Sequence, residues 1–148
     1  MLCVHGTSVA LGRDGILLRG PSGSGKSDLA LRLIDSGAIL VADDQTELRR
    51  RNGRLEMRAP ATLEGLIEVR GVGIVRLPSV QDVALRLVVD LVRAQAVERL
   101  PEPRFAELDG VSIPLLELAP FEASAAAKLR MALAMLSAAA FPEAFGVS

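Results

Sequence analysis

GPSGSGKS, residues 20–27, lies between the apolar run GILLR and the amphipathic run KSDLALRLIDSG. Gly20, four residues, then Gly25-Lys26-Ser27 satisfies the Walker A pattern, in the strand, loop and helix setting that the pattern requires. Each position has its own physical reason. Glycines let backbone N–H groups converge on phosphate oxygens, and the N-terminus of the following helix adds positive potential. Lys26 neutralises the β- and γ-phosphates, and the Ser27 hydroxyl is placed to ligate a Mg²⁺ that bridges them. Gly20, Pro21, Ser22, Gly23, Ser24, Gly25, Lys26 and Ser27 are therefore the candidate nucleotide-binding residues, with ATP and Mg²⁺ the expected ligands.

Outward from the loop, LCVHGTSVAL (residues 2–11) reads as one strand and GILLRG (15–20) as a second, separated by the turn GRDG. After the loop, Leu29, Leu33 and Ile34 share a helical face, and Gly37 is positioned to end the helix. AILVA (38–42) is a continuous apolar run of strand length, as in a strand buried on both faces, and it ends at Asp43 and Asp44. Strand, loop, helix and strand make a βαβ unit, with the two aspartates following the strand next to the loop. P-loop proteins keep a carboxylate near the metal there. Adjacent strand residues face opposite ways, so both aspartates reach one site only if the strand ends and the chain turns. An Asp-Asp turn that merely caps the next segment is the other reading.

TELRRRNGRLEMRAP (46–60) carries Asn52-Gly53, the preferred pair for a tight hairpin turn. Arg49, Arg50, Arg51 and Arg54 form either a solvated edge that resists aggregation or a docking patch for an acidic partner. GLIEVRGVGIVRL (65–77) is β-rich between glycines, and VALRLVVDLV (83–92) and VSIPLLEL (111–118) read as strands. Glu122 to Ala140 reads as an Ala- and Leu-rich helix. The fold class is α/β, a P-loop nucleotide-binding fold with a mixed sheet, in a single domain spanning residues 1–148.

Composition narrows the function classes. Of the 148 residues 50% are hydrophobic, 24% are charged and the net charge is -1, so nothing in overall charge points to nucleic acid or an acidic membrane. Cys3, the sole cysteine, excludes an internal disulfide or a cysteine metal cluster, fits a reducing cytoplasm and reads as a buried small side chain. The opening MLCVHGTSVALGRDG has no basic start followed by an apolar run, so no secretory leader is expected. MALAMLSAAAF is shorter than the roughly 18 apolar residues of a membrane span. His5 and Glu68 taken alone fit a hydrogen-bonded core histidine and an exposed strand residue as well as they fit catalysis.

In order along the chain, HGTSV, GPSGSGKSDLAL, GAILVADD, EVRGVGI and ERL resemble the catalytic domain of HPr kinase/phosphorylase. The motifs are clearest from His5 to Arg99 and weaker into the last helix. The resemblance implies a fold related to phosphoenolpyruvate carboxykinase and a kinase that phosphorylates a serine of an HPr-like phosphocarrier protein. By motif it implies that His5 is the catalytic histidine, Lys26 the phosphate-binding lysine, Ser27 a magnesium ligand and Asp44 the proton acceptor with Asp43 beside it. Glu68 matches a second magnesium ligand, and Arg99 in ERL an arginine needed for activity. A homo-oligomer such as a hexamer, and a bacterial cytoplasmic location, are also implied.

Two departures from the family pattern stand out. Family members carry an additional N-terminal domain, so the sequence is expected to represent the catalytic domain alone. The family's Pro-Gly-Arg-Asn segment, associated with removal of the phosphate by phosphorolysis, is replaced by APFEASAA (119–126), with Phe121, Glu122 and Ala123 where Gly, Arg and Asn are expected. The reverse activity is accordingly expected to be impaired. A non-catalytic nucleotide-binding regulator and a small-molecule kinase are the competing readings. Intact His5, Asp43, Asp44 and Glu68 favour an enzyme over a regulator, because nucleotide binding alone needs no surplus of acid-base groups.

Overall fold

The computed structural model describes residues 1–137. Its strands are β1 (Leu2–His5), β2 (Thr7–Leu11), β3 (Asp14–Arg19), β4 (Ile39–Ala42), β5 (Gln45–Arg51) and β6 (Arg54–Arg58). They continue with β7 (Leu66–Val69), β8 (Gly73–Arg76), β9 (Val83–Leu91), β10 (Arg104–Leu108) and β11 (Val111–Leu118). Helices α1 (Lys26–Asp35) and α2 (Ala125–Ser137) follow β3 and β11 respectively. Nine strands form one mixed sheet in the order β1-β5-β6-β9-β3-β2-β4, with β11 joined to β9 and β10 to β11, while β7 and β8 form a separate hairpin.

Alternation along the central strands builds two cores. Ile16 and Leu18 of β3, with Leu87 and Val89 of β9, pack under Leu29 and Leu33 of α1 and Leu129 of α2. Leu17 and Val88 point the other way, to Leu48, Leu55 and Met57 of the β5–β6 hairpin. Full burial of each such side chain contributes about 1.5–3 kcal/mol relative to exposure. Covered on both faces, β3 and β9 therefore read as nearly unbroken apolar runs rather than alternating ones.

Helix α1 ends as its sequence predicts. The Gly37 amide donates to Ile34 O at 3.0 Å and the Ala38 amide to Leu33 O at 3.0 Å, closing the last carbonyls of the helix. Asn52 and Gly53 form the expected two-residue turn between Arg51 and Arg54, both with positive φ. Arg49 and Arg51 approach Glu56 across that hairpin, at 3.5 and 4.0 Å, so part of the basic run is paired within its own element.

Four expectations are corrected. Residues 2–11 are two strands: β1 pairs with β5 and β2 lies between β3 and β4. The break falls at Gly6, where an added Cβ would stand 2.8 Å from both Leu17 Cδ1 and Leu18 O. The βαβ unit is split, because β2 is inserted antiparallel between β3 and β4, so the aspartates follow a strand one removed from the loop strand. The parallel neighbour of β3 is β9. Cys3 is exposed, because β1 is the outer strand of its sheet edge. The last helix starts at Ala125, after a turn at 121–124, and the expected residues 138–140 lie outside the described ones. No described helix is long and apolar enough to cross a membrane.

Candidate active site

The loop at 20–25 leaves the C-terminal end of β3 and opens directly into α1. Gly25 precedes the helix with φ 101°, a left-handed conformation, and a Cβ there would stand 2.9 Å from Phe121 Cζ, so both backbone and space call for glycine. Lys26 is buried, and its ammonium donates to Gly20 O at 2.6 Å and Pro21 O at 3.0 Å. With three donors on the ammonium, one remains for an anion held by the loop. The first amides of α1 have no intrahelical acceptor and complete an anion cradle.

Beyond β4 the chain turns sharply at the aspartates. Asp44 has φ 66°, and the Gln45 amide donates back to Asp43 O at 2.7 Å. The two adjacent carboxylates consequently take different partners. Asp43 Oδ1 accepts Ser27 Oγ at 2.7 Å and Thr7 Oγ1 at 3.0 Å, and its Oδ2 accepts the Glu68 amide at 3.0 Å. Asp44 Oδ1 accepts His5 Nε2 at 2.7 Å, with both side chains substantially exposed. Asp43 is the fixed member of the pair, tied to helix, strand and hairpin together. Asp44 is the solvent-facing member, with an imidazole to hold it.

Lys26, Ser27, Asp43, Asp44 and Glu68 line one open cleft between the loop and the β7–β8 hairpin. The alternation of β7 buries Ile67 in the core and turns Glu68 out to the cleft. His5 joins this group through Asp44. Arg99 does not: it is exposed in the segment between β9 and β10 and does not line the cleft. Thr7, fully buried, was not among the sequence candidates, yet its hydroxyl donates to Asp43 and accepts the Asp44 amide at 3.2 Å. Its position two residues after His5 in HGTSV is the signal that marks it.

The donor set fits a magnesium nucleotide. Mg²⁺ is usually held by one or two carboxylates together with substrate phosphates rather than by an all-protein cage. Among the described residues no three His, Cys, Asp or Glu side chains converge to hold a metal by themselves. Ser27 Oγ beside Asp43, with Glu68 on the facing hairpin, supplies the sparse oxygen set that such an ion takes when phosphates complete its shell. Within the loop, Ser24 Oγ is buried with no hydrogen-bond partner.

Comparison with known proteins shows the family and the fold. The family model described as HPr Serine kinase C-terminal domain matches residues 1–135. HPr kinase/phosphorylase of Bordetella pertussis (strain Tohama I) is 43% identical over 109 residues, which are 66% of this chain and 35% of the relative. The protein of the same name from Leptothrix cholodnii is 38% identical over 122 residues, 74% of this chain and 38% of that one. The chain thus spans about a third of the length of the curated relatives it matches. The solved HPr(Ser) kinase/phosphatase of Coxiella burnetii superposes with a TM-score of 0.76 at 26% identity, covering 88% of this chain and 86% of that one. With a family model matched from residue 1 to residue 135 and the same mixed α/β architecture in a solved relative, this chain belongs to the HPr serine kinase C-terminal domain family.

Proposed function

We propose that this domain binds ATP with Mg²⁺ at the Gly20–Ser27 loop and transfers the terminal phosphoryl group to a serine hydroxyl of an HPr-like phosphocarrier protein. The observation that carries this reading is the division of labour at one turn. Asp43 is bonded to the loop serine Ser27, and its neighbour Asp44, bonded to His5, faces the open cleft.

In this reading a bound Mg²⁺ would supply charge neutralisation for the nucleotide's phosphates. Ser27, Asp43 and Glu68 are the residues to hold it. Lys26 binds the phosphates and offsets their charge. A serine hydroxyl is a weak nucleophile, so a carboxylate that accepts its proton as the new P–O bond forms lowers the barrier. Asp44 has that exposure, and His5 orients it through Oδ1, leaving Oδ2 for the incoming proton. Asp43 is a poorer base, since both of its oxygens already accept hydrogen bonds. The fold of the Coxiella burnetii protein and the names of the curated relatives support a kinase acting on HPr. Arg99, outside the cleft in a single chain, is proposed to act only if a carrier or a second copy of the chain meets that segment.

The test is incubation of the full chain with γ-labelled ATP, Mg²⁺ and HPr-like carriers, with small hydroxylated metabolites in parallel. Label on a carrier serine supports the proposal. Label on a metabolite makes the protein a small-molecule kinase. Nucleotide binding with no transfer to either makes it a regulator.

A further inference from the structure

The triphosphate cradle has two flanks, and the paired aspartates stand on only one of them. Relative to β3, the aspartates lie on the side of β2 and β4, while β9 and then β11 lie on the other. Both β9 and β11 run parallel to β3, so their C-terminal ends open at the same edge as the loop. Ligands of open α/β sheets lie in the crevice outside those ends. The segments that leave β9 and β11 bound a shallow groove whose lining includes Val92, Arg93, Gln95, Pro120, Phe121 and Glu122. Phe121 lines this groove and the phosphate cleft alike, so the two are continuous through its ring.

Phe121 is 71% exposed, so one face of its ring is open to a ligand. It is nevertheless held in place. The ring lies against Gly25 of the loop. Arg32 of α1 donates to Pro120 O and, at 3.5 Å, to Glu122 O, the carbonyls on either side of the phenylalanine. Arg32 is itself paired with Asp28 at 3.0 Å. An aromatic face at the edge of the cleft, against the phosphate-binding loop and on the β9–β11 side of β3, suits the flat base of a nucleotide.

We propose that Phe121 is the stacking platform for the base of the nucleoside triphosphate whose phosphates the Gly20–Ser27 loop holds, with Arg32 the positioning residue that fixes its backbone. This deepens the proposed function and rests on it. Stacking on a single ring is base-tolerant, so Phe121 adds affinity for a nucleotide over bare polyphosphate.

Isothermal titration of the full chain with Mg-ATP and with Mg-tripolyphosphate reads this directly. Phe121→Ala is expected to weaken ATP by about tenfold or more, within the range of one base–aromatic stack, and to leave tripolyphosphate within about twofold. Phe121→Trp is expected to keep ATP affinity. Arg32→Ala should reproduce the ATP loss in part and Arg32→Lys less so. Unchanged ATP affinity in Phe121→Ala overturns the inference while the proposed function stands. Equal weakening of both ligands also overturns it, since the ring then only braces the loop. A wild-type chain that binds neither ligand overturns the inference together with the function it rests on.

Discussion

Ser27 Oγ donates to Asp43 Oδ1 at 2.7 Å, which joins the first turn of α1 to the end of β4 across the inserted strand β2. That bond separates the roles of two carboxylates adjacent in sequence. Under the proposed function, Asp43 serves the loop and the metal, and Asp44, with His5, serves the acceptor.

Lys26→Ala and Ser27→Ala are each expected to lower phosphoryl transfer by about 10²-fold or more, the cost of losing a preorganised charge-stabilising group. Circular dichroism should stay native, because both residues serve the loop rather than either apolar core. Wild-type turnover in Lys26→Ala would move the active site elsewhere.

Thr7→Val keeps the shape of a fully buried side chain but removes the acceptor of the Asp44 amide and a donor to Asp43. Denaturant unfolding is expected to show a loss of about 1–3 kcal/mol, the cost of a buried polar group left unpaired. Transfer should fall beyond what that destabilisation explains, with both aspartates less firmly held. A stable variant with full activity would show that Thr7 has no part in holding them.

Gly6→Ala tests why the first ten residues are two strands. The added methyl meets Leu17 Cδ1 and the Leu18 carbonyl at 2.8 Å, and the carbonyl is backbone that cannot rotate away. A loss of about 1–3 kcal/mol is expected, as for overpacking generally. A melting temperature equal to wild type would mean that the break at Gly6 is set by something other than this close approach.

Much of this was legible in the sequence, and the parts that were not have physical reasons. The Walker loop, the Asn52-Gly53 hairpin and the end of α1 at Gly37 are local features, decided within a few residues, and each stands where the sequence puts it. The same turn chemistry at Asp109-Gly110, both with positive φ, marks a hairpin between β10 and β11, and the weakly apolar RFAEL of β10 hid it. The insertion of β2 between β3 and β4 is not legible, because pairing partners 29 to 34 residues apart leave no local trace. Likewise the clustering of Lys26, Asp43 and Glu68 followed from motif resemblance, whereas the bracing of Asp43 by Thr7 needed three dimensions. Phe121 looked like a departure at a catalytic segment, and only the fold shows its ring against Gly25.

The reverse reaction is expected to be weak. Phosphorolysis brings inorganic phosphate against phosphoserine, so two anions meet and cations must offset their repulsion. By the motif resemblance, Glu122 stands where the family's arginine is expected, and its carboxylate is paired with Lys128 at 3.2 Å, which occupies a cation as well. Dephosphorylation of serine-phosphorylated carrier with millimolar phosphate and no nucleotide, read as pyrophosphate release, should lie far below the forward rate. Release at a rate matching the kinase direction would show that the replaced segment is dispensable.

The most direct measurement is single-turnover transfer from saturating Mg-ATP to an HPr-like carrier, wild type against Asp44→Asn, with the phosphorylated residue identified by mass spectrometry. The amide keeps the shape and the bond to His5 but cannot take a proton. Transfer to a carrier serine is expected in wild type, with a fall of about 10²-fold or more in Asp44→Asn and ATP affinity unchanged. Undiminished transfer in the variant, or a fall in ATP affinity with the rate at saturation intact, would contradict the assignment of Asp44 as the proton acceptor.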